Sequence, residues 1–266
     1  MKMSIANVRP NDKLFLLITF MFLFVTNIFS QSKIAKELIR ELEECFDLCE
    51  ASRSGIHAVQ LLSGDSSFSL SKTAIQNAAI DKHEHSITFG RDSNHNISIS
   101  PIINGDVSNG SVCSDWPGAF ADIHNHTNDQ PPSAGDLYYL VKLNNKNQLY
   151  NSRFVVTKEG AVYVLFVYDL KLANDFLTKH PVDQTPGFSP RFPEPMFEDV
   201  DKASAYFEGK GIDRLTAQER ALALVLAKYK SGVILLKQVS IGNFLSVQTE
   251  EKDSGGRIVY VVHNCN

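Results

Sequence analysis

"DIHNHTNDQPPSAGDLYYL", Asp122 to Leu140, is the stretch on which the reading of this 266-residue chain turns. Ahead of it, "GAFADIHNH" alternates with the period of a strand; within and after it, "GDLYYLVKLNN" carries apolar residues at helical spacing. The turn "TNDQPP" between them ends in a double proline that bars regular structure, and Ser133 then offers a hydroxyl suited to cap a helix. Side chains two apart on a strand project to one side, so His124 and His126, about 7 Å apart at Cα, can converge on one point while Asn125 faces away. With Ser133 as N-cap, Asp136 is the N3 residue, and its carboxylate can turn back toward the histidine strand. Two imidazoles and one carboxylate form the donor set of a catalytic zinc site that keeps one position free. The plainer alternative is that Ser-x-x-Asp is only a good helix start, with an anion favoured at the N-terminus. Capping alone, however, needs no paired histidines ahead of it.

Working outward, "SKIAKELIRELEECFDLCE" (residues 32–50) reads as an amphipathic helix, residues 51–70 give no clear element, and "SKTAIQNAAIDK" (71–82) reads as a short helix with a Ser/Thr start. "HEHSITFGRD" and "HNISISPII" follow as strands. Beyond the opening stretch, "SRFVVTKEGAVYVLFVYD" is a hairpin about Lys158-Glu159-Gly160, and "DLKLANDFLTKH" is helical. "PVDQTPGFSPRFPEP" has five prolines in 15 residues and reads as an extended connection. "TAQERALALVLAKYKSG" reads as a helix capped by Thr216, with Glu219 completing a capping box and Gly232 following its end. "VILLKQV", "FLSVQT" and "RIVYVVHN" close the chain as strands. No long period repeats, so a solenoid is excluded; the order gives an α+β fold with helices on a mixed β-sheet. The expected organisation is a leader (1–30), an N-terminal helical segment (31–70), a core (71–180), and a C-terminal proline-rich loop, helix and strands packed on that core (181–266).

The segment "HNHTNDQPPSAGD" resembles the His-x-His, six or seven residues, Ser-x-x-Asp signature of the JAB/MPN metallopeptidases, the JAMM motif, with Thr127 where many members have proline. That resemblance implies a mixed sheet flanked by helices in a cytidine-deaminase-like architecture. It also implies that His124, His126 and Asp136 hold Zn2+, that Ser133 supports the transition state, and that an upstream glutamate acts through the metal-bound water. Glu84, 40 residues ahead of His124 where the helix of 71–82 gives way to the first β-run, matches the family's order as general acid/base. Its alternative is a solvated glutamate at a strand edge. His83 and His85 are a rival ligand pair, facing opposite to Glu84 if the run is a strand. The implied activity is zinc-dependent peptidase or isopeptidase-like hydrolysis by a zinc-activated water, on a peptide, protein or peptidoglycan-like amide. Two alternatives stand beside it: a catalytically silent binding domain of the same fold, and a secreted effector whose N-terminal helix docks and whose C-terminal strands form a module.

Composition bounds these readings. The chain is 43% hydrophobic and 21% charged, an ordinary globular balance. Lys2, Arg9 and Lys13 precede the apolar run Leu14–Phe29, the form of a secretory signal, with Ile28 and Ser30 at the −3 and −1 positions of a cleavage site. The run falls short of the ~20 residues of a spanning helix; an uncleaved anchor is the alternative and the one route to a membrane. Removing residues 1–30 takes away three basic side chains and Asp12, so the net charge of −4 becomes −6 and nucleic acid is excluded as a partner. Export would put Cys45, Cys49, Cys113 and Cys265 where disulfides persist, with three full connectivities open and free buried thiols as the alternative.

Overall fold

The computed structural model describes residues 33–107, 112, 114–184, 189–263 and 265, with side chains from Leu48 onward. The expected leader of 1–30, Cys113 and the side chain of Cys45 lie outside the described residues. The chain divides into two compact units, Met1–Cys49 and Glu50–Asn266. Helix α1 (Lys33–Ser63) begins in the first; every other described element belongs to the second. Cys49 and Cys265 are both disulfide-bonded, which agrees with the disulfide expectation. Among the described residues no helix is long and apolar enough to cross a membrane.

The architecture is α+β, with six α-helices and a mixed, open sheet of nine strands among the described residues. After α2 (Ser66–Ala78) and a 3-10 turn (Ala79–Asp81) come β1 (His85–Arg91), β2 (Ile97–Ile99), β3 (Ile103–Asn104) and β4 (Ala121–Asn125). Helix α3 (Ala134–Lys146) crosses over to β5 (Ser152–Val156), which pairs with β6 (Val162–Val167). Then follow α4 (Leu170–Lys179), α5 (Met196–Gly209), α6 (Arg214–Lys228), β7 (Val233–Ser240), β8 (Asn243–Asp253) and β9 (Ile258–His263). The order across the sheet is β2-β1-β4-β5-β6-β7-β8-β9, with β3 also on β1. Among the described strands only β4 and β5 pair in parallel, because α3 carries the chain back along the sheet between them.

Strands β4, β5 and β6 are buried along their whole length, so both faces of the sheet are covered there. On one face, Leu137, Leu140 and Val141 of α3, Phe176 of α4 and Leu222 and Val225 of α6 share a core with Val155, Tyr163 and Leu235. On the other, Phe68 of α2 lies 4.9 Å from Phe154 and 5.9 Å from Phe89, ring centre to ring centre. The register Ser86, His124, Val155, Tyr163, Lys237 runs straight across β1, β4, β5, β6 and β7. Directly paired residues share a face, so His124 points to the α3 side.

Three segments depart from the sequence reading. Residues 51–63, expected to hold no clear element, continue α1, because their buried positions Ser52, Gly55, Val59 and Leu62 keep helical spacing with small residues. A Cβ on Gly55 would sit 3.0 Å from Ile234 and Phe166, so the smallness is a packing requirement. The N-cap of helix α6 lies three residues before Thr216: it is Asp213, which accepts from the Thr216 N–H at 3.0 Å. Glu219, expected in a capping box, is instead buried against the sheet, accepting from the Tyr163 hydroxyl at 2.7 Å and from Lys237 at 2.6 Å. After the proline-rich run, Met196–Gly209 is helical, with Met196, Ala203 and Phe207 buried along one face.

Candidate metal centre

The parallel pair β4/β5 creates the site. A parallel connection brings the crossover helix back over the strand it left, so the N-terminus of α3 lies at the C-terminal end of β4. That end carries His124 and His126, and that N-terminus carries Ser133 and Asp136. Ser133 and Asp136 form a full capping box: the Asp136 N–H donates to Ser133 Oγ at 3.2 Å, and the Ser133 N–H donates to Asp136 Oδ2 at 2.8 Å. The box fixes the aspartate rotamer. Its carboxylate is thereby aimed at the histidines, as the capping rules lead one to expect.

The three side chains meet. His124 Nε2 lies 3.0 Å from Asp136 Oδ1, and His126 Nε2 lies 3.2 Å from Asp136 Oδ2. One donor atom from each residue falls within 4.8 Å of the others. Donors held at ~2.0–2.1 Å from a tetrahedral ion sit roughly 3.3 Å apart, so the spacing fits. His126 Nδ1 is 3.1 Å from the carbonyl of Gln130, which favours the tautomer that leaves Nε2 free as a ligand. His124 is the most telling member: it is fully buried, and neither ring nitrogen has a hydrogen-bond partner among the described residues, despite its closeness to Asp136. Buried polar groups are rarely left so, and a metal ion at the shared point would satisfy Nε2. The residues present therefore fit a divalent ion. Three donors are one short of a closed structural site, the usual pattern of a catalytic one.

A second layer, which the sequence reading did not single out, supports these ligands. Arg153, on β5 and 2% exposed, donates from Nε to Asp136 Oδ1 at 3.1 Å and from one terminal nitrogen to Asp122 Oδ2 at 2.8 Å. Asp122 also accepts from the Tyr150 hydroxyl at 3.0 Å and lies 3.7 Å from His124 Nδ1. The signals are present in the chain: Asp122, His124 and His126 keep period two, and an arginine inside the apolar run "SRFVV" needs a buried partner. Burial pushes the Asp136 carboxyl up, but the nearby imidazoles of His124 and His126 and the Arg153 guanidinium outweigh it and hold the group well below the ordinary carboxylate value. Burial and Arg153 oppose a charge on His124, yet Asp136 and Asp122 overcome them and raise it to about 9. A cation bound at His124 would compete with a proton there.

Glu84, just ahead of β1, is 8% exposed rather than solvated at a strand edge. It lines a cavity of about 350 Å³ together with His126, Ser133, Asp136, Tyr139 and Arg153. Burial is the main influence on its carboxyl and raises it above the ordinary value, with His124 and His126 pulling the other way. The rival histidines do not join the site: His85 is held between Asn104 at 3.0 Å and Asp81 at 2.9 Å, and the His83 side chain is 46% exposed beside Asp81. Ser133 reaches the site, but its hydroxyl donates to Asp136 Oδ2 at 2.7 Å. Supporting an oxyanion would require that hydroxyl to turn about its Cβ–Oγ bond.

No protein-family model, curated protein or solved structure matches the chain.

Proposed function

We propose that the protein is a zinc-dependent amide hydrolase of the JAMM type, with His124, His126 and Asp136 as metal ligands on a JAB/MPN-like core. The observation that carries the reading is the convergence of two imidazoles and a carboxylate on one point, with neither ring nitrogen of buried His124 in hydrogen-bonding geometry with a described residue and Glu84 lining the adjoining cavity. The order of parts also agrees with the family's: a glutamate where the first core helix gives way to the first strand, the histidine pair at the end of a later strand, and Ser-x-x-Asp opening the next helix. Zinc held there would supply Lewis acidity for a scissile carbonyl and lower the pKa of a water toward ~7.

The chain's own residues divide the remaining work. Glu84 takes a proton at its carboxylate from the attacking water and returns it to the departing amine; a buried carboxyl with a raised pKa suits both halves of that exchange. Arg153 and the capping box hold Asp136 in place through the turnover. Ser133 donates to the developing oxyanion once its hydroxyl turns from Asp136. The substrate we infer is an extracytoplasmic peptide, protein or peptidoglycan-like amide, since the N-terminal segment has the form of an export signal.

Zinc content provides the test. Purified wild-type protein should hold about one zinc per chain, and a His124→Ala, His126→Ala double variant should hold none; equal and negligible zinc in both would end the reading. The second reading, a metal-holding binding domain without hydrolytic activity, is favoured by the engagement of the Ser133 hydroxyl with Asp136. A biological effect that survives Glu84→Gln intact would select it.

A further inference from the structure

A second cleft, of about 470 Å³, opens on the other side of His126. It shares His126, Thr127 and Val107 with the cavity that holds Glu84, so the two adjoin at a metal ligand. Its walls come from the end of α2, the 3-10 turn, the loop after β4 and the β5–β6 hairpin, contributing Gln76, Ile80, Lys82, Thr157 and Lys158. The Thr127 hydroxyl donates to the Val107 carbonyl at 3.0 Å and the Lys158 N–H to the Asn128 carbonyl at 3.0 Å, which ties the neighbouring loops to one another.

The charge of this cleft is opposite to that of the molecule. Lys82 and Lys158 line it, and no carboxylate among the described residues does. The nearest acids along the chain are otherwise placed: Asp81 accepts from His85, and Asp106 and Glu159 are exposed and do not line the cleft. On a chain of net charge −4, two cations in one concavity beside a metal ligand are a local attractor for anions. Ile80, 83% exposed, and Val107, 59% exposed, add an apolar rim for an aliphatic stem.

We propose that this cleft binds the carboxylate-bearing part of the substrate, an acidic side chain or a chain-terminal carboxylate, and lays the adjoining amide across His126. Cleavage of that amide rests on the hydrolase reading; the charge preference does not. Three hexapeptides with a neutral coumarin label test it: one with two glutamates and an amidated end, one with glutamines and a free C-terminal carboxylate, and one with glutamines and an amidated end. Binding to the full chain carrying Glu84→Gln is followed by fluorescence anisotropy at 50 and 300 mM salt. At least one anionic peptide should bind about fivefold or more tightly than the neutral one, the advantage shrinking at high salt. Which of the two is preferred tells a side-chain carboxylate from a terminal one. The double substitution Lys82→Gln, Lys158→Gln should remove the preference while zinc content, melting temperature and affinity for the neutral peptide stay unchanged. Equal binding of all three, no binding of any at 1 mM, or a preference that survives the double substitution would overturn the proposal. Failure of the hydrolase reading shows separately, as wild-type protein that holds no zinc.

Discussion

Asn125, between His124 and His126, accepts a hydrogen bond from the backbone N–H of His85 at 2.7 Å, while its amide nitrogen donates to the carbonyl of His83 at 3.0 Å. The two bonds bracket Glu84 from either side. Period two turns Asn125 away from the ligands and toward β1, so one five-residue strand fixes both the metal face and the segment bearing the proposed proton carrier. Asn125→Ala should cost about 1–3 kcal/mol, the usual penalty for an unpaired buried backbone group. If the hydrolase proposal holds, zinc content should be unchanged and the proposed amide hydrolysis should fall about tenfold or more. Urea denaturation, metal analysis and a turnover assay read the three quantities; loss of zinc as well would mean that Asn125 supports the ligands and not Glu84 alone.

Arg153 has two carboxylate partners, Asp122 and Asp136, and all three side chains are buried. Breaking a buried pair from one side leaves uncompensated charge, at a cost of roughly 3–5 kcal/mol. Arg153→Met is therefore expected to lower the urea midpoint sharply. Arg153→Lys should recover only part of the loss, because one ammonium cannot reproduce the guanidinium fork. Saturating zinc should stabilise both proteins and the variant more, because a dication beside Asp136 compensates carboxylate charge that the guanidinium no longer does.

What is legible in the sequence is local. His124, His126, Ser133 and Asp136 obey strand period and helix-capping rules within one short stretch, and the structure brings them together as those rules require. Glu84 is reached through order of elements, and its burial beside the cavity depends on strand neighbours that no spacing within its own segment reveals. Arg153 and Tyr150 are harder to read because their partner Asp122 is distant in sequence, and only the parallel pairing of β4 with β5 sets Asp122 opposite Arg153. Residues 51–63 are illegible for a different reason: serine and glycine disfavour helix, and close packing of Gly55 on Phe166 and Ile234 overrides that preference.

The N-cap of α6 gives a pH signature. Asp213 accepts from the Thr216 N–H, and bonds to the backbone and side chain of Thr216 hold its carboxyl below the ordinary value. A group with a depressed folded pKa contributes stability that is present above its unfolded pKa, near ~3.9, and is lost as pH falls through the folded value. Asp213→Ala should cost about 1 kcal/mol at pH 7. The difference from wild type should shrink as the pH drops below ~3.9, measured by chemical denaturation across that range. A gap that stays constant into acid would mean the ionised cap is not its source.

Two glycines should respond in opposite directions to the same substitution. Gly232 has φ of +67°, and its carbonyl accepts from the N–H groups of Tyr168 and Asp169, joining the start of β7 to the start of α4. A Cβ there would lie 2.3 Å from the Asp169 carbonyl oxygen and 2.5 Å from the Ala173 nitrogen, both backbone atoms with little freedom to yield. Gly232→Ala thus adds left-handed strain of about 1 kcal/mol to a clash that must move a strand or a helix, and the expected loss exceeds that strain alone. Gly209, the last residue of α5, has nothing within 4 Å of its would-be Cβ and no positive φ. Gly209→Ala should raise stability by about 0.4–1 kcal/mol, because alanine has fewer unfolded conformations to lose. Thermal denaturation of the two variants beside wild type is the check, and shifts of the same sign would mean that close approach at Gly232 does not govern that junction.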